Sequence, residues 1–376
     1  MKQVKIVGSF FGTSGYVSHV RQLANALSRQ GVEVLVDCAK PQGWEMSLTD
    51  RELAFFTTKE KDCVILFVGQ PQYLPFCWSE NDDVIPFVIW EGDRIPSYWV
   101  PYLLDERVKQ IWVPSQHVAD AILKTAETFE FRFPGLFGKD ARPFLQGKLR
   151  TVPHGVDTSL FLPRPKPEKF TFFCSKGWAG SLEDRGGVQY LIKAFCEEFS
   201  KDEKVELRVK LNPAYFREGF NLNQEMMKIK IDNPNLPEVK VNVAGADYKY
   251  IPSLYEGDVF VCPTRCEAFG LTGLEAHSAG MPTIQTGYGG QVSYMTSETD
   301  FVIPYVLEET KEDLSYEGVK WATPDLASLR RSLRYAFENR VLMAQMGLKA
   351  REKAVEGWTW ESAARKAVKA LEQYPL

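Results

Sequence analysis

The sequence predicts an α/β protein made of two parallel-sheet domains, and three observations carry that prediction. Short, almost wholly apolar runs at 63–69 (CVILFVG), 84–90 (VIPFVIW) and 170–174 (FTFFC) have the continuous character of parallel strands covered on both faces. Segments with helical apolar spacing alternate with them, the pattern of crossover units in a parallel sheet. The chain has 376 residues, more than one hydrophobic core usually holds.

Composition narrows the function classes. Net charge is −4, from 45 Lys and Arg against 49 Asp and Glu with the signs interspersed, so no nucleic-acid partner is expected. The seven cysteines lie mostly within apolar runs and follow no regular framework, which reads as buried free thiols in a reducing compartment. Cys262 and Cys266 stand four apart, but with four scattered histidines and no second cysteine pair no zinc site is expected. The first strand begins at once without a signal peptide, and no apolar run reaches the length of a membrane span, so a cytoplasmic protein is expected.

Taken in order, Val4 to Gly8 reads as a buried strand. A glycine-containing turn follows, then a helix with Val17, Val20, Leu23, Ala24 and Leu27 on one face, and Val32 to Val36 as the second strand. Asp37 after that strand raises the possibility of a dinucleotide site, but Gly8, Gly12 and Gly15 lack the G-x-G-x-x-G spacing that lets backbone meet a pyrophosphate. His19 reads as an acceptor contact or an ordinary helix-surface residue. The strand at 84–90 ends in EGDR, and ligands of open parallel sheets sit beyond strand carboxyl ends, so Glu91 and Asp93 are site candidates, set against helix capping and a salt bridge with Arg94. IWVPS (111–115) is a strand running into a helix, QHVADAILKTAE, read as scaffold. Residues 129–150 hold five phenylalanines and five Lys or Arg, and read as a loop with its aromatics folded down or, if exposed, a weak peripheral membrane or acceptor contact.

In the second half, strands at FTFFC, VELRVKL and VKVNVAG alternate with helices. SKGWAGSLEDRGG, between its first strand and helix, carries Lys176 and Arg185. Two cations at a strand carboxyl end would balance charge on a leaving diphosphate in place of a metal, each contributing on the order of 2 to 4 kcal/mol in the transition state. Salt bridges to Glu183 and Asp184 are the alternative. A helix with Leu326, Leu329, Leu333 and Phe337 on one stripe is expected to start at Thr323 or Pro324, and TWESAARKAVKALEQ forms the last helix.

The chain is organised around 261–290, VCPTRCEAFGLTGLEAHSAGMPTIQTGYGG. Val259 to Val261 is a strand, and Thr272 with Glu275 matches the T-x-x-E signature of a helix start. The amides of Gly270, Leu271 and Thr272 then lie at the positive end of that helix, a seat for a phosphate. Glu267 precedes the seat and Glu275 lies beside it, and carboxylates there accept from hydroxyls. A sugar and a ribose flanking a diphosphate have that alternation, which points to a nucleotide sugar. Glu275 as a mere capping partner of Thr272 is the alternative.

The run E-A-F-G-L-T-G-L-E-A-H-S-A-G-M-P resembles the signature of retaining nucleotide-sugar glycosyltransferases of the GT-B fold, glycosyltransferase family four. The resemblance implies two Rossmann-like, doubly wound domains facing across a deep cleft. It implies that Glu267 contacts the donor sugar, that Phe269, Gly270 and Leu271 give backbone donors, and that Glu275 binds the ribose. Gly12 and Gly15 would face the donor diphosphate from the first domain, and VPHGVD (152–157) would be the crossing, with His154 a hinge residue. The implied domains are 1–152, an acceptor-side domain, and 153–357, the donor domain, with helix 358–376 packing back on the first. Relatives carry a histidine near Glu91 that this stretch lacks, and Gly186 stands where a lysine is usual, so either Lys176 or Lys210 would supply the charge or donor activation would be weakened. The implied reaction needs no cofactor or metal and no side-chain nucleophile. Its partners are a UDP- or GDP-sugar and a saccharide, lipid or small-metabolite acceptor. A catalytically degenerate nucleotide-sugar-binding protein is the alternative, and a GT-B phosphorylase or epimerase lacks this central motif.

Overall fold

The computed structural model describes residues 3–12, 14–38, 48–79, 83–132, 140–243, 248–310 and 318–373. The chain forms two compact units: Met1–Gly155, Glu312–Val319 and Thr359–Leu376 make the first, and Val156–Lys311 with Lys320–Trp358 the second.

The first unit opens with β1 (Gln3–Val7), α1 (Gly15–Arg29) and β2 (Val34–Asp37). Ser14 caps α1 by accepting from the Val17 amide at 3.3 Å, and the face read from the apolar spacing is buried. The unit continues through α2 (Asp50–Thr57), β3 (Cys63–Val68), β4 (Val84–Phe87), α3 (Val100–Leu104), β5 (Ile111–Val113), α4 (Gln116–Arg132), α5 (Ala141–Lys148) and β6 (Leu149–Thr151). The strands form one parallel sheet in the order β2-β1-β3-β4-β5-β6, with Val4 between Val34 and Val64. Strand order reverses between β1 and β3.

Residues 129–150 are not the expected loop, because the end of α4, α5 and most of β6 occupy much of the stretch; 133–139 lie outside the described residues. Pro143 sits in the first turn of α5, where a helix needs no amide donor, so it does not break the helix. Phe129 is buried, and Phe144 is half-buried with the Lys148 ammonium 4.2 Å from its ring centre.

The second unit contains β7 (Phe170–Lys176), α6 (Val188–Glu198), β8 (Val205–Leu211), α7 (Leu222–Lys228), β9 (Glu238–Asn242), β10 (Val259–Cys262), α8 (Leu271–Ser278), β11 (Thr283–Thr286) and β12 (Asp300–Ile303). Its parallel sheet runs β12-β11-β10-β7-β8-β9, and the order reverses between β7 and β10. Phe170, Phe172, Phe195 and Phe199 anchor the core between the sheet and α6.

An antiparallel ribbon of β13 (Tyr305–Glu309) and β14 (Lys320–Pro324) follows, with Leu307 opposite Ala322. It takes the residues at which the sequence reading began the next helix: Thr323 pairs with Val306 and Pro324 with Tyr305. The helix, α9 (Leu326–Glu338), instead starts after Asp325, whose carboxylate accepts from the Ser328 amide at 2.7 Å. Aspartate is the stronger cap of the residues available. Next comes α10 (Arg340–Gly357), and then α11 (Trp360–Glu372), which belongs to the first unit and packs on α1. Among the described residues no helix is long and apolar enough to cross a membrane.

His19 is neither on the helix surface nor open to an acceptor. It is 0% exposed, packed 4.3 Å from the Phe87 ring and 4.4 Å from the His154 ring, with Trp360 of α11 beside both histidines. His154 is likewise buried in this aromatic cluster. Burial pushes the His154 imidazole down to about 3, and burial, with His154 alongside, holds His19 well below the usual histidine range. Both rings therefore stay neutral in the folded chain while the unfolded chain takes up protons below about pH 6.5. Stability must fall as pH drops from about 6.5, by roughly 1.4 kcal/mol per pH unit for each fully shifted histidine. A melting-temperature series from pH 7 to pH 4.5 should show this fall, and His154→Phe should make it shallower. An unchanged slope in that variant would contradict the assignment.

Candidate active site

The reversal of strand order between β7 and β10 sends their following segments to opposite faces, and the gap at their carboxyl ends is where open parallel sheets bind ligands. Lys176 is the last residue of β7, and Arg185 lies in the loop that leads to α6. Glu267 lies in the loop after β10, and Gly270 is the N-cap of α8.

Asp184 organises the loop after β7. Its buried carboxylate accepts from the Ala179 amide at 2.9 Å and the Gly186 amide at 2.7 Å. Glu183 pairs with Arg265 at 3.1 Å. The loop also explains Gly186, which replaces the usual lysine. A Cβ there would lie 2.3 Å from the Gly177 carbonyl oxygen, so no side chain fits while the loop keeps this form. Lys210 does not supply the missing charge freely: it is buried, donates to the Leu211 carbonyl at 2.6 Å, and burial lowers its pKa.

Lys176 meets Glu267 instead, its ammonium donating to the Glu267 carboxylate. The cation expected at a leaving group and the carboxylate expected at a sugar are thus one ion pair. The Glu267 loop is closed by backbone contact with Gly290, whose amide donates to the Glu267 carbonyl at 2.7 Å. A Cβ at 290 would lie 1.9 Å from the Ala268 carbonyl oxygen, so only glycine allows that approach. The Phe269 side chain points into the core near Tyr294 and Trp358, leaving only its backbone for a ligand.

The capping box expected of Thr272 and Glu275 does not form. Helix α8 starts at Leu271 behind Gly270, which is left-handed at φ 82° and makes no side-chain cap. Among the described residues no group accepts from the amides of Gly270, Leu271 and Thr272. The Gly270 carbonyl is held from behind by the Tyr294 hydroxyl at 2.6 Å. That hydroxyl also lies 3.3 Å from the Gln285 Oε1, Gln285 donates to Thr283 at 2.7 Å, and Thr283 donates to Asp300, which His277 of α8 meets at 2.8 Å. Both ends of α8 are thereby fixed to β11 and β12.

Glu275 is buried and accepts from the Tyr255 hydroxyl. Burial pushes its carboxyl up to about 7 against the pull of that hydrogen bond.

In the first unit Gly12, with φ 129°, follows β1 at the strand-order reversal, and Gly15 opens α1. Asp93 does not bridge to Arg94. Its carboxylate accepts from Lys124 of α4, while Arg94 donates to Thr128 at 2.7 Å. The local sequence near Glu91 has no histidine, but the fold brings one: the His117 Nε2 lies 2.7 Å from the Glu91 carbonyl oxygen. Sequence reading passed over His117 as scaffold and also missed Arg265, Tyr255 and Tyr294. Arg265 stood inside the quoted motif, whereas Tyr255 reaches Glu275 through a fold contact that no spacing announces. Among the described residues no cluster of His, Cys, Asp or Glu could hold a metal ion.

Residues 165–352, half the chain, match the family described as Glycosyl transferases group 1. The chain belongs to that family. It is 31% identical over 289 residues to the sulfoquinovosyl transferase of Arabidopsis thaliana, covering 75% of this chain and 51% of that protein. It is 29% identical over 154 residues to the D-inositol 3-phosphate glycosyltransferase of Pseudarthrobacter chlorophenolicus, covering 38% of this chain and 35% of that one. Matches to the first curated relatives span only 35%, 48% and 36% of those proteins. The crystal structure of Anabaena HepE in complex with UDP and glucose superposes with a TM-score of 0.64 at 13% identity, over 99% of this chain and 100% of that one. The fold is GT-B.

The raised Glu275 carboxyl has a measurable consequence. Between pH 4.5 and about 7 the folded chain holds a proton that the unfolded chain has lost, so stability falls as pH rises through that window. Glu275→Gln should therefore be more stable than the parent above pH 7, by up to about 3 kcal/mol, and equal to it below pH 4.5. Denaturant midpoints at pH 4 and pH 8 check this, and a difference of the same size at both would refute it.

Proposed function

We propose that the chain is a retaining glycosyltransferase that moves a sugar from a nucleoside diphosphate to an acceptor hydroxyl. One observation carries the reading: Glu267, the open amides at the start of α8, and Glu275 follow one another along a single loop and helix. That order suits sugar hydroxyls, a diphosphate and a ribose. The amides and the positive end of α8 favour an anion there, and Tyr294 fixes the Gly270 carbonyl before any ligand arrives. The names of the relatives, a sulfoquinovosyl transferase and a D-inositol 3-phosphate glycosyltransferase, and the UDP in the HepE complex support a nucleotide-linked donor.

In this reading the acceptor oxygen bonds to the anomeric carbon on the face from which the diphosphate leaves. The bond from that carbon to the β-phosphate oxygen breaks, and the acceptor proton passes to a phosphate oxygen. Lys176 exchanges part of its contact with Glu267 for the developing phosphate charge, and Arg185 supplies the second cation. These two and the α8 amides carry the charge in place of a metal. Glu91 and Asp93 of the first unit serve the acceptor side, with Asp93 muted by Lys124. Gly12 and Gly15 provide backbone that a diphosphate can approach. The seven free thiols support a cytoplasmic setting.

A second reading, a nucleotide-sugar-binding protein without transfer, is favoured by Gly186, since its packing leaves no room for the usual lysine. A thermal-shift panel of UDP, GDP, ADP and their sugar conjugates, with and without magnesium, finds the donor class. Turnover or donor hydrolysis then separates the two readings. Glu275→Ala should weaken nucleotide binding about 10- to 100-fold, whereas Arg185→Ala should lower turnover by about 10²-fold or more with a smaller loss of binding. Equal nucleotide affinity in Glu275→Ala would remove the ribose assignment.

A further inference from the structure

Arg265 is 1% exposed, and it is among the largest fully buried side chains of the chain. A guanidinium keeps its charge at any ordinary pH, and burying one is tolerated only where its donors are matched. Here they are divided between two segments. Nη1 donates to the Glu183 carbonyl at 2.8 Å and to the Glu183 carboxylate at 3.1 Å. Nη2 donates to the Thr323 hydroxyl at 3.1 Å, and Nε to the Ala322 carbonyl at 3.3 Å. The guanidinium also lies 5.7 Å from the Trp321 ring centre, and Glu308 of β13 is 3.6 Å from Nη2.

The backbone repeats the arrangement. The Arg265 amide donates to the Arg185 carbonyl at 2.8 Å, and the Ala322 amide donates to the Arg265 carbonyl at 2.8 Å. One residue thus spans from the loop that carries Arg185 to the β13–β14 ribbon. It stands two residues before Glu267. No lysine can copy this, since an ammonium has three donors on a point and the fork reaches both segments at once.

We infer that Arg265 is a positioning residue: it locks the 177–187 loop in the form that presents Arg185, with the ribbon as the anchor of the lock. The catalytic part of this inference rests on the proposed transfer reaction, while the lock itself does not. Arg265 touches neither the α8 amides nor Glu275 in any hydrogen bond described, so it acts on the reaction through the loop. Thr323 is the separable half of the device. Its hydroxyl accepts from Arg265 and donates to Glu308 across the ribbon.

The test uses the full chain with four variants, Arg265→Lys, Arg265→Gln, Thr323→Val and Thr323→Ser, and two readouts. Hydrogen exchange by mass spectrometry reads the loop without any ligand. Arg265→Lys and Thr323→Val should accelerate exchange in peptides covering 177–187, while core peptides of β7 and β8 stay protected and Thr323→Ser restores the parent rate. Where the panel of nucleoside diphosphates and their sugars identifies a donor, Arg265→Lys should lower turnover about tenfold, the loss of one charge-assisted hydrogen bond, with nucleotide affinity changed less than about threefold. Unchanged loop exchange in both Arg265→Lys and Thr323→Val overturns the lock, whatever the protein binds. Faster exchange with parental turnover overturns the catalytic part of the inference. Failure of the parent to bind any nucleotide overturns the transfer reading and leaves the exchange result to decide the lock. Arg265→Gln serves as the extreme case, and if it does not fold, the Thr323 pair still decides.

Discussion

In the second unit the strand order reverses between β7 and β10, and that reversal constrains everything around it. The segments leaving those two strands diverge to opposite faces of the sheet, so the backbone between them has no neighbouring crossover to pack against. The chain closes the gap with its own groups: Asp184 gathers the amides of the loop after β7, Gly290 seals the loop after β10, and Arg265 joins the two. What stays without a partner among the described residues is the set of amides at the helix start from Gly270 to Thr272, while Lys176 and Glu267 answer each other beside it.

The groups held there are expensive to bury. A carboxyl raised to about 7, at Glu275, and a fully buried guanidinium, at Arg265, both oppose folding unless their partners are in place. The solutions differ. Arg265 meets acceptors from two segments, whereas Glu275 meets the hydroxyl of Tyr255 and remains uneasy as a carboxylate. A residue kept where it weakens the fold is expected at a binding site more than in a scaffold. The neutral histidine pair of the first unit differs again, since its packing among Phe87 and Trp360 ties α11 to the sheet.

The fold was legible because parallel strands buried on both faces must be continuously apolar, which made segments such as 63–69 and 170–174 stand out. The site was legible where chemistry sits in one stretch, from Glu267 to Glu275. It was not legible where the outcome depended on residues distant in sequence. The T-x-x-E pattern marked a helix start, with Glu275 as the capping partner of Thr272 the alternative to a ribose contact, but Gly270 took the N-cap position and left Glu275 to Tyr255. Thr323 and Pro324 looked like a helix start until the ribbon claimed them. Gly186 looked like a lost charge, and only the Gly177 carbonyl above it gives the steric reason. His117 shows the same limit, since it reaches Glu91 from another element.

The measurement that tests the account most directly is a crystal structure with the nucleoside diphosphate that binds most tightly. The account predicts its β-phosphate within hydrogen-bond distance of the Leu271 and Thr272 amides and its ribose hydroxyls on Glu275. A well-ordered nucleotide whose diphosphate lies away from the start of α8, with Glu275 still bonded only within the protein, would contradict it.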